Sequence, residues 1–212
     1  MQENMPSQAP ELICINVDKV YDWIVKEMSF DISPTGTISF PGVTPATDLT
    51  GATVKCNVTP AATNPIVILN RENRAFTIDG ATVCLQQLNV QKNFVLTLTV
   101  CLPNGSTLTS ASIPVSRCEQ ITLCAPKGTD VEITYTDLDC FVCTTGTLTA
   151  GTGTITFSAL TITVAVCQSI QSTFPVTVEF LATYCEPRAD LPFACPGAAR
   201  PKQCSVIFPS GA

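Results

Sequence analysis

Between Phe94 and Leu102 the chain reads Phe-Val-Leu-Thr-Leu-Thr-Val-Cys-Leu, and much of the sequence obeys the same rule. Thr, Val and Ile recur with a period of two. That period sends successive side chains to opposite faces of an extended chain, and β-branched residues pack well on such a pleated surface. Asp130 to Leu138 repeats the pattern, with Val131, Ile133 and Tyr135 set against Glu132, Thr134 and Thr136. Gly36–Phe40 (Gly-Thr-Ile-Ser-Phe) and Gly153–Phe157 (Gly-Thr-Ile-Thr-Phe) are near copies. Helical spacing occurs at Val20 to Met28, where Val20, Trp23, Ile24 and Met28 share a face. The alternation of Ile13 to Val17 leads into it and favours extended structure there.

Turn chemistry punctuates the strands at Pro34-Thr35-Gly36, Pro41-Gly42, Asp79-Gly80, Pro103-Asn104-Gly105, Lys127-Gly128 and Gly151-Thr152-Gly153. Asn104-Gly105, between apolar strands, is the strongest hairpin signal. Thr152 to Val166 reads as two strands bent at Ser158-Ala159, and Phe174 to Tyr184 as a further long strand. Short strands at this spacing predict an all-β fold, an antiparallel β-sandwich or jelly roll. A faint internal repeat accompanies it. Val83-Cys84 runs to Cys101-Leu-Pro103, and Val166-Cys167 runs to Cys185-Glu-Pro187, so one hairpin looks used twice. Residues 54–69 read as a shorter third echo. The repeat leaves open two related halves meeting near Ser116; the absence of a linker there favours one continuous fold.

The ends differ from the middle. Residues 1–17 are expected to form a flexible N-terminal arm or connector, residues 18–185 the β-sandwich, and residues 186–212 a tail. The tail holds five prolines with Cys195 and Cys204. It has too little apolar periodicity to fold alone, and is expected to wrap the domain, pinned by its sulfurs.

Composition narrows function. Charged residues make up 13% of the 212-residue chain and the formal net charge is −6. No basic stripe or aromatic–basic interleaving points to nucleic acid. Thr, Ser, Asn and Gln interrupt every apolar run before it reaches membrane-span length. Sparse charge on a 45% hydrophobic chain favours a surface that is itself buried in an assembly; a compact monomer with a Thr-rich surface is the alternative.

Twelve cysteines and no histidine complete the picture. The cysteines are Cys14, Cys56, Cys84, Cys101, Cys118, Cys124, Cys140, Cys143, Cys167, Cys185, Cys195 and Cys204. All twelve are disulfide candidates whose pairing cannot be read from spacing. So much sulfur fits an oxidising compartment. The opening Met-Gln-Glu-Asn-Met-Pro-Ser-Gln-Ala-Pro lacks the charged segment and apolar run of an export signal. An extracellular or spore-surface location, reached without a recognisable signal peptide, is therefore expected; a processed mature form is the alternative. Cys14 is the candidate inter-subunit cross-link. It lies in Leu12-Ile13-Cys14-Ile15, a short apolar segment suited to adding a strand to a neighbour's sheet edge. An ordinary first strand of its own sheet is the alternative.

Enzyme chemistry finds little support. Without histidine the usual base for a serine or cysteine nucleophile is missing. Cys140-Phe-Val-Cys143 has redox spacing but no helix to lower a thiol pKa. A four-thiolate zinc site from Cys118, Cys124, Cys140 and Cys143 lacks a second CxxC. Asp130, Glu132, Asp137 and Asp139 read as a solvated hairpin end rather than a calcium loop. Asn57-Val-Thr59 and Asn104-Gly-Ser106 match the short glycan-acceptor pattern. No cofactor, metal or catalytic residue is expected.

Ile13-Cys14-Ile-Asn-Val-Asp-Lys-Val-Tyr-Asp-Trp23-Ile-Val resembles the opening of cysteine-rich spore-surface proteins of spore-forming Gram-positive bacteria. Endospore-appendage subunits are the nearest functional type. That resemblance covers residues 11–26 and is compositional beyond them. It implies a jelly-roll subunit that stacks into fibres through an N-terminal connector, with Cys14 in the role of connector cysteine. One cysteine stands in the lead here rather than a cluster, and the long Cys/Pro tail is a further departure. The expected function is a self-assembling structural subunit of a disulfide-reinforced fibre or spore-surface layer. Its partners would be copies of itself and other spore-surface proteins. A secreted adhesin or carbohydrate-binding β-sandwich is the alternative.

Overall fold

A computed structural model describes residues 10–183. They form eleven strands and no helix: β1 (Glu11–Ile32), β2 (Thr37–Ser39), β3 (Thr53–Pro60), β4 (Ile66–Ile78), β5 (Ala81–Cys101), β6 (Thr107–Thr109), β7 (Ile113–Leu123), β8 (Asp130–Thr144), β9 (Leu148–Ala150), β10 (Thr154–Phe157) and β11 (Thr161–Ala182). Val20 to Met28 is extended within β1. Two compact units are distinguished. One is Val17–Val176; the other contains residues 10–16 and 177–183, with Thr177 donating from Oγ1 to Asn16 Oδ1 at 2.7 Å. Residues 1–9, most of the expected arm, and the tail with Cys185, Cys195 and Cys204 lie outside the described residues.

Within the larger unit the antiparallel pattern builds a β-sandwich. One sheet has the order β1-β11-β8. In the other, β5 is central: β3 and β4 flank one side and β6 and β7 the other. Each central strand buries its even-numbered face. On β5 these are Gln86, Leu88, Val90, Lys92, Phe94, Leu96, Leu98 and Val100; on β11 they are Ile162, Val164, Val166, Gln168, Ile170 and Ser172. Burying each apolar side chain contributes about 1.5–3 kcal/mol, so these two strands carry much of the core.

A third small sheet, β2-β10-β9, explains the near-identical pentapeptides. The two copies pair with each other: Ile38 sits opposite Ile155, and Phe40 N donates to Gly153 O at 2.9 Å. Both isoleucines point inward, and the Phe40 and Phe157 rings lie 6.2 Å apart between centroids.

Several expectations need correction. The repeated "hairpin" is no hairpin: residues 83–101 lie in the single strand β5, and β11 runs unbroken from Thr161 to Ala182. The polar residues along β5 do not interrupt it: Gln86, Gln87, Asn89, Gln91 and Lys92 pair with both β4 and β7, and Asn93 with β7. The separate strand expected from Phe174 is therefore the far part of β11. Ser116 pairs with Asn93 inside β7, so no joint falls there. The 54–69 echo covers β3, a loop and the start of β4. The tightest hairpin is Asp79-Gly80, joining Ile78 to its partner Ala81. Both turn residues have positive φ (50° and 80°), the backbone a two-residue turn needs to match strand twist. The Asn104-Gly105 loop does connect β5 to β6. There Gly105 alone takes positive φ (86°), and Asn104 Oδ1 accepts from Ser106 N at 2.9 Å.

Candidate functional site

The cysteines separate by strand parity. Cys56 on β3 and Cys140 on β8 form a disulfide that ties the two large sheets together across 84 residues of sequence. Cys143 lies three residues beyond Cys140 on the same strand. An odd step along a strand reverses the face. Cys140 is buried while Cys143 is exposed, its Sγ 3.1 Å from Thr163 Oγ1. The CxxC spacing thus separates its sulfurs instead of pairing them. Cys14, Cys84 and Cys118 are exposed thiols on β1, β5 and β7; Cys101, Cys124 and Cys167 are half-buried, and none of these has a disulfide partner among the described residues. Among those residues no three Cys, Asp or Glu side chains gather where a metal would sit, so Cys118, Cys124, Cys140 and Cys143 are not brought together. Asp130, Glu132, Asp137 and Asp139 are exposed along β8, and Asp139 Oδ1 accepts from Cys140 N at 2.7 Å.

Of the strand-addition segment, Leu12, Cys14 and Ile15 are exposed and Ile13 half-buried, all within β1. Among the described residues β1 is an edge strand of its sheet. Farther along it, Val20, Tyr21, Trp23 and Val25 also stand in solvent, with Trp23 62% and Val25 70% exposed. Trp23 Nε1 donates to Ser169 Oγ at 2.7 Å, fixing the indole.

The most unusual chemistry is internal and concerns residues the cysteine pattern does not touch. Lys92 on β5 and Gln168 on β11 are both fully buried and face each other between the sheets. Lys92 Nζ donates to Gln168 Oε1 and to Glu119 Oε2. Glu119, on β7, is nearly buried. Gln168 Nε2 donates to Glu119 Oε2 at 3.0 Å, with Oε1 at 3.4 Å. Lys26 on β1 reaches in from the surface, its Nζ 2.6 Å from Glu119 Oε1. The orientation of the Gln168 amide follows from its neighbours: an ammonium requires the carbonyl oxygen, and a carboxylate requires the NH2.

Burial pushes the Lys92 pKa down, outweighing the pull of Glu119. Burial pushes Glu119 up, but hydrogen bonds from Lys26, Lys92 and Gln168 more than reverse it, so its carboxyl ends below the usual range. Tyr135 sits opposite Gln168 across the β11–β8 ladder, where the register shifts by one residue. Its hydroxyl is buried without a protein partner among the described residues. Burial, and secondarily the Glu119 charge, raise its pKa to about 12.

Glu119 also borders a depression of about 350 Å³ shared with Leu69, Asn89, Cys118 and Gln120. One end of the polar cluster therefore meets solvent while Lys92 and Gln168 do not. Sequence reasoning missed these residues, yet each lies in phase with an apolar face. Lys92 falls between Val90 and Phe94, Gln168 between Val166 and Ile170, Glu119 two before Ile121, and Lys26 between Ile24 and Met28. A charge recurring at the buried parity of a strand was the available signal. No protein-family model matches the chain, and neither a curated protein nor a solved structure matches it.

Proposed function

We propose that this protein is a structural subunit that assembles with copies of itself into a disulfide-reinforced extracellular fibre or spore-surface layer. The observation that carries the reading is β1, an edge strand among the described residues: its part in the larger unit sets Val20, Tyr21, Trp23 and Val25 in solvent, and its part in the smaller unit sets Leu12, Ile15 and the thiol of Cys14 there. An open edge presents unpaired backbone donors and acceptors and is a template for another chain. Solvent-facing Leu12, Ile15, Val20, Tyr21, Trp23 and Val25 add an apolar contribution to such pairing. Exposed Cys84, Cys118 and Cys143 supply further sulfur for bonds between copies or to other spore-surface proteins. The likeness of residues 11–26 to spore-surface openings and the low charge content support the same reading. It assigns no catalytic role to any residue.

Boiling native or oxidised protein in detergent tests it. The expected result is a ladder that collapses only with reductant, and a Cys14→Ser variant whose ladder is shortened. A single monomer band without reductant, from protein holding free thiols, defeats the reading. A second reading rests on Tyr21 and Trp23, exposed at same-parity positions of β1. Aromatic faces of this kind suit a sugar ring. Polysaccharide retention that vanishes in Trp23→Ala, with no ladder, would favour the carbohydrate-binding module.

A further inference from the structure

We propose that Lys92 and Gln168 become joined by an intramolecular amide bond that the fold itself forms, with Glu119 as the proton carrier. The nucleophile, the electrophile and the proton carrier are all held in one buried cluster. Lys92 Nζ already contacts the carbonyl oxygen of Gln168, one bond from the carbon it must attack. Glu119 Oε2 touches both the attacking nitrogen and, at 3.0 Å, the leaving one. A group in contact with both nitrogens can take a proton from the first and return it to the second. Strands β5, β7 and β11 fix the three side chains, which replaces a bimolecular encounter by a positioned one. Full burial of Lys92 and Gln168 excludes the water that would compete for the amide.

The step balances without a co-reactant. Lys92 passes a proton to Glu119, and its free amine adds to Gln168 Cδ. The Nζ–Cδ bond forms and the Cδ–Nε2 bond breaks. Nε2 takes the proton that Glu119 holds; the joined nitrogen then sheds its second proton through the same carboxylate to the departing ammonia, which leaves as ammonium, and Glu119 ends ionised. Nothing is oxidised or reduced. Glu119, which borders the solvent-open depression, is the end of the cluster through which the ammonium would leave.

Charge supplies a second, independent reason. Before reaction two lysines, Lys26 and Lys92, share one carboxylate, leaving an excess positive charge beside fully buried groups. Lys92 is the fully buried one of the two, so its charge is the one that burial penalises. The amide removes the charge on Lys92, and Lys26 and Glu119 remain as a balanced pair. Burial pressure on Lys92 toward its neutral form acts in the same direction. The product would bolt β5 to β11, the central strands of the two sheets. It lies within one chain and stands whether or not copies assemble.

Mass spectrometry of the full-length protein, reduced and alkylated, tests the bond. The expected mass is one ammonia below the sequence mass. Protease digestion should give a branched peptide joining the segments around Lys92 and Gln168, with trypsin no longer cutting after Lys92. Cyclisation of Gln2, if Met1 is removed, loses the same mass, so the branched peptide decides. The isosteric Glu119→Gln variant should keep its ammonia and yield separate peptides, as should Lys92→Arg if it folds. Separate Lys92 and Gln168 peptides from folded, aged wild-type protein would overturn the proposal, as would a branched peptide undiminished in Glu119→Gln.

Discussion

The sandwich holds two apolar clusters with different means of closure. The larger has sixteen buried residues, among them Phe30, Phe94, Leu96, Leu98, Val164 and Val166, and the Cys56–Cys140 bond crosses it. The small β2-β10-β9 sheet adds Ile38, Phe40, Ile155 and Phe157 to it. The smaller cluster has seven, chiefly Leu88, Val90, Ile121, Leu123, Ile133 and Ile170, and no disulfide among the described residues. Hydrogen bonds hold its neighbouring segment instead. Gln86 accepts from Ala125 N at 2.5 Å, Ser172 donates to Cys124 O at 2.5 Å, and Asp22 accepts from Cys124 N at 2.8 Å. Gln168 falls on β11 between Val166 of the first cluster and Ile170 of the second, and Lys92 likewise on β5 between Phe94 and Val90. Apolar packing and a covalent bond secure one region, and directed polar contacts the other. Individually such polar contacts contribute about 0.5–1.5 kcal/mol each.

The disulfide should produce the largest effect. Closing a loop of this size restricts the unfolded chain by about 4–5 kcal/mol. A Cys56→Ser/Cys140→Ser protein should lose that order of stability in urea unfolding. A loss below about 1 kcal/mol would show that the larger cluster needs no covalent help. Truncations in the two clusters come next. Phe94→Ala should cost about 3–5 kcal/mol. Its ring packs between Phe30 and Tyr135, at centroid distances of 6.0 and 5.6 Å, so the cavity cannot easily collapse. Leu88→Ala should cost about 2–3 kcal/mol, since fewer buried neighbours surround it. Equal losses would mean that the two clusters act as one core.

The contrast also separates what the sequence discloses from what it hides. The larger cluster was legible: Phe94 to Cys101 alternates without interruption, and the pentapeptides at 36–40 and 153–157 announce matching strands. The bend at Ser158-Ala159 fell where expected, between β10 and β11. The smaller cluster was obscured because its strands carry polar residues at inward positions. Gln86, Lys92, Gln168 and Ser172 break the apolar alternation without breaking the strand. Pattern reading therefore divided β5 and β11 where they pass the buried polar groups. The sulfur count drew attention to CxxC, whose members strand parity places on opposite faces. Disulfide pairing was not legible at all, because Cys56 and Cys140 meet only once two sheets pack.

The smallest expected effect falls on Tyr135, which packs against the larger cluster while its hydroxyl feels Glu119. With no protein partner among the described residues, the hydroxyl makes no protein hydrogen bond that Phe would lose. Tyr135→Phe should leave stability unchanged or raise it by up to about 1 kcal/mol. Alkali sharpens the test. The folded phenol titrates near 12, against 10.0 for the free group. The unfolded chain thus releases its proton first, and proton release favours unfolding. The contribution is intact below pH 10 and is lost as pH climbs from 10 toward 12. Lysines and other tyrosines titrate in that window too, so the readout is the difference between wild type and Tyr135→Phe. The gap should widen in favour of the variant as pH rises. Parallel profiles would mean that the phenol is solvated in the folded protein and that the polar cluster is wetter than its packing implies.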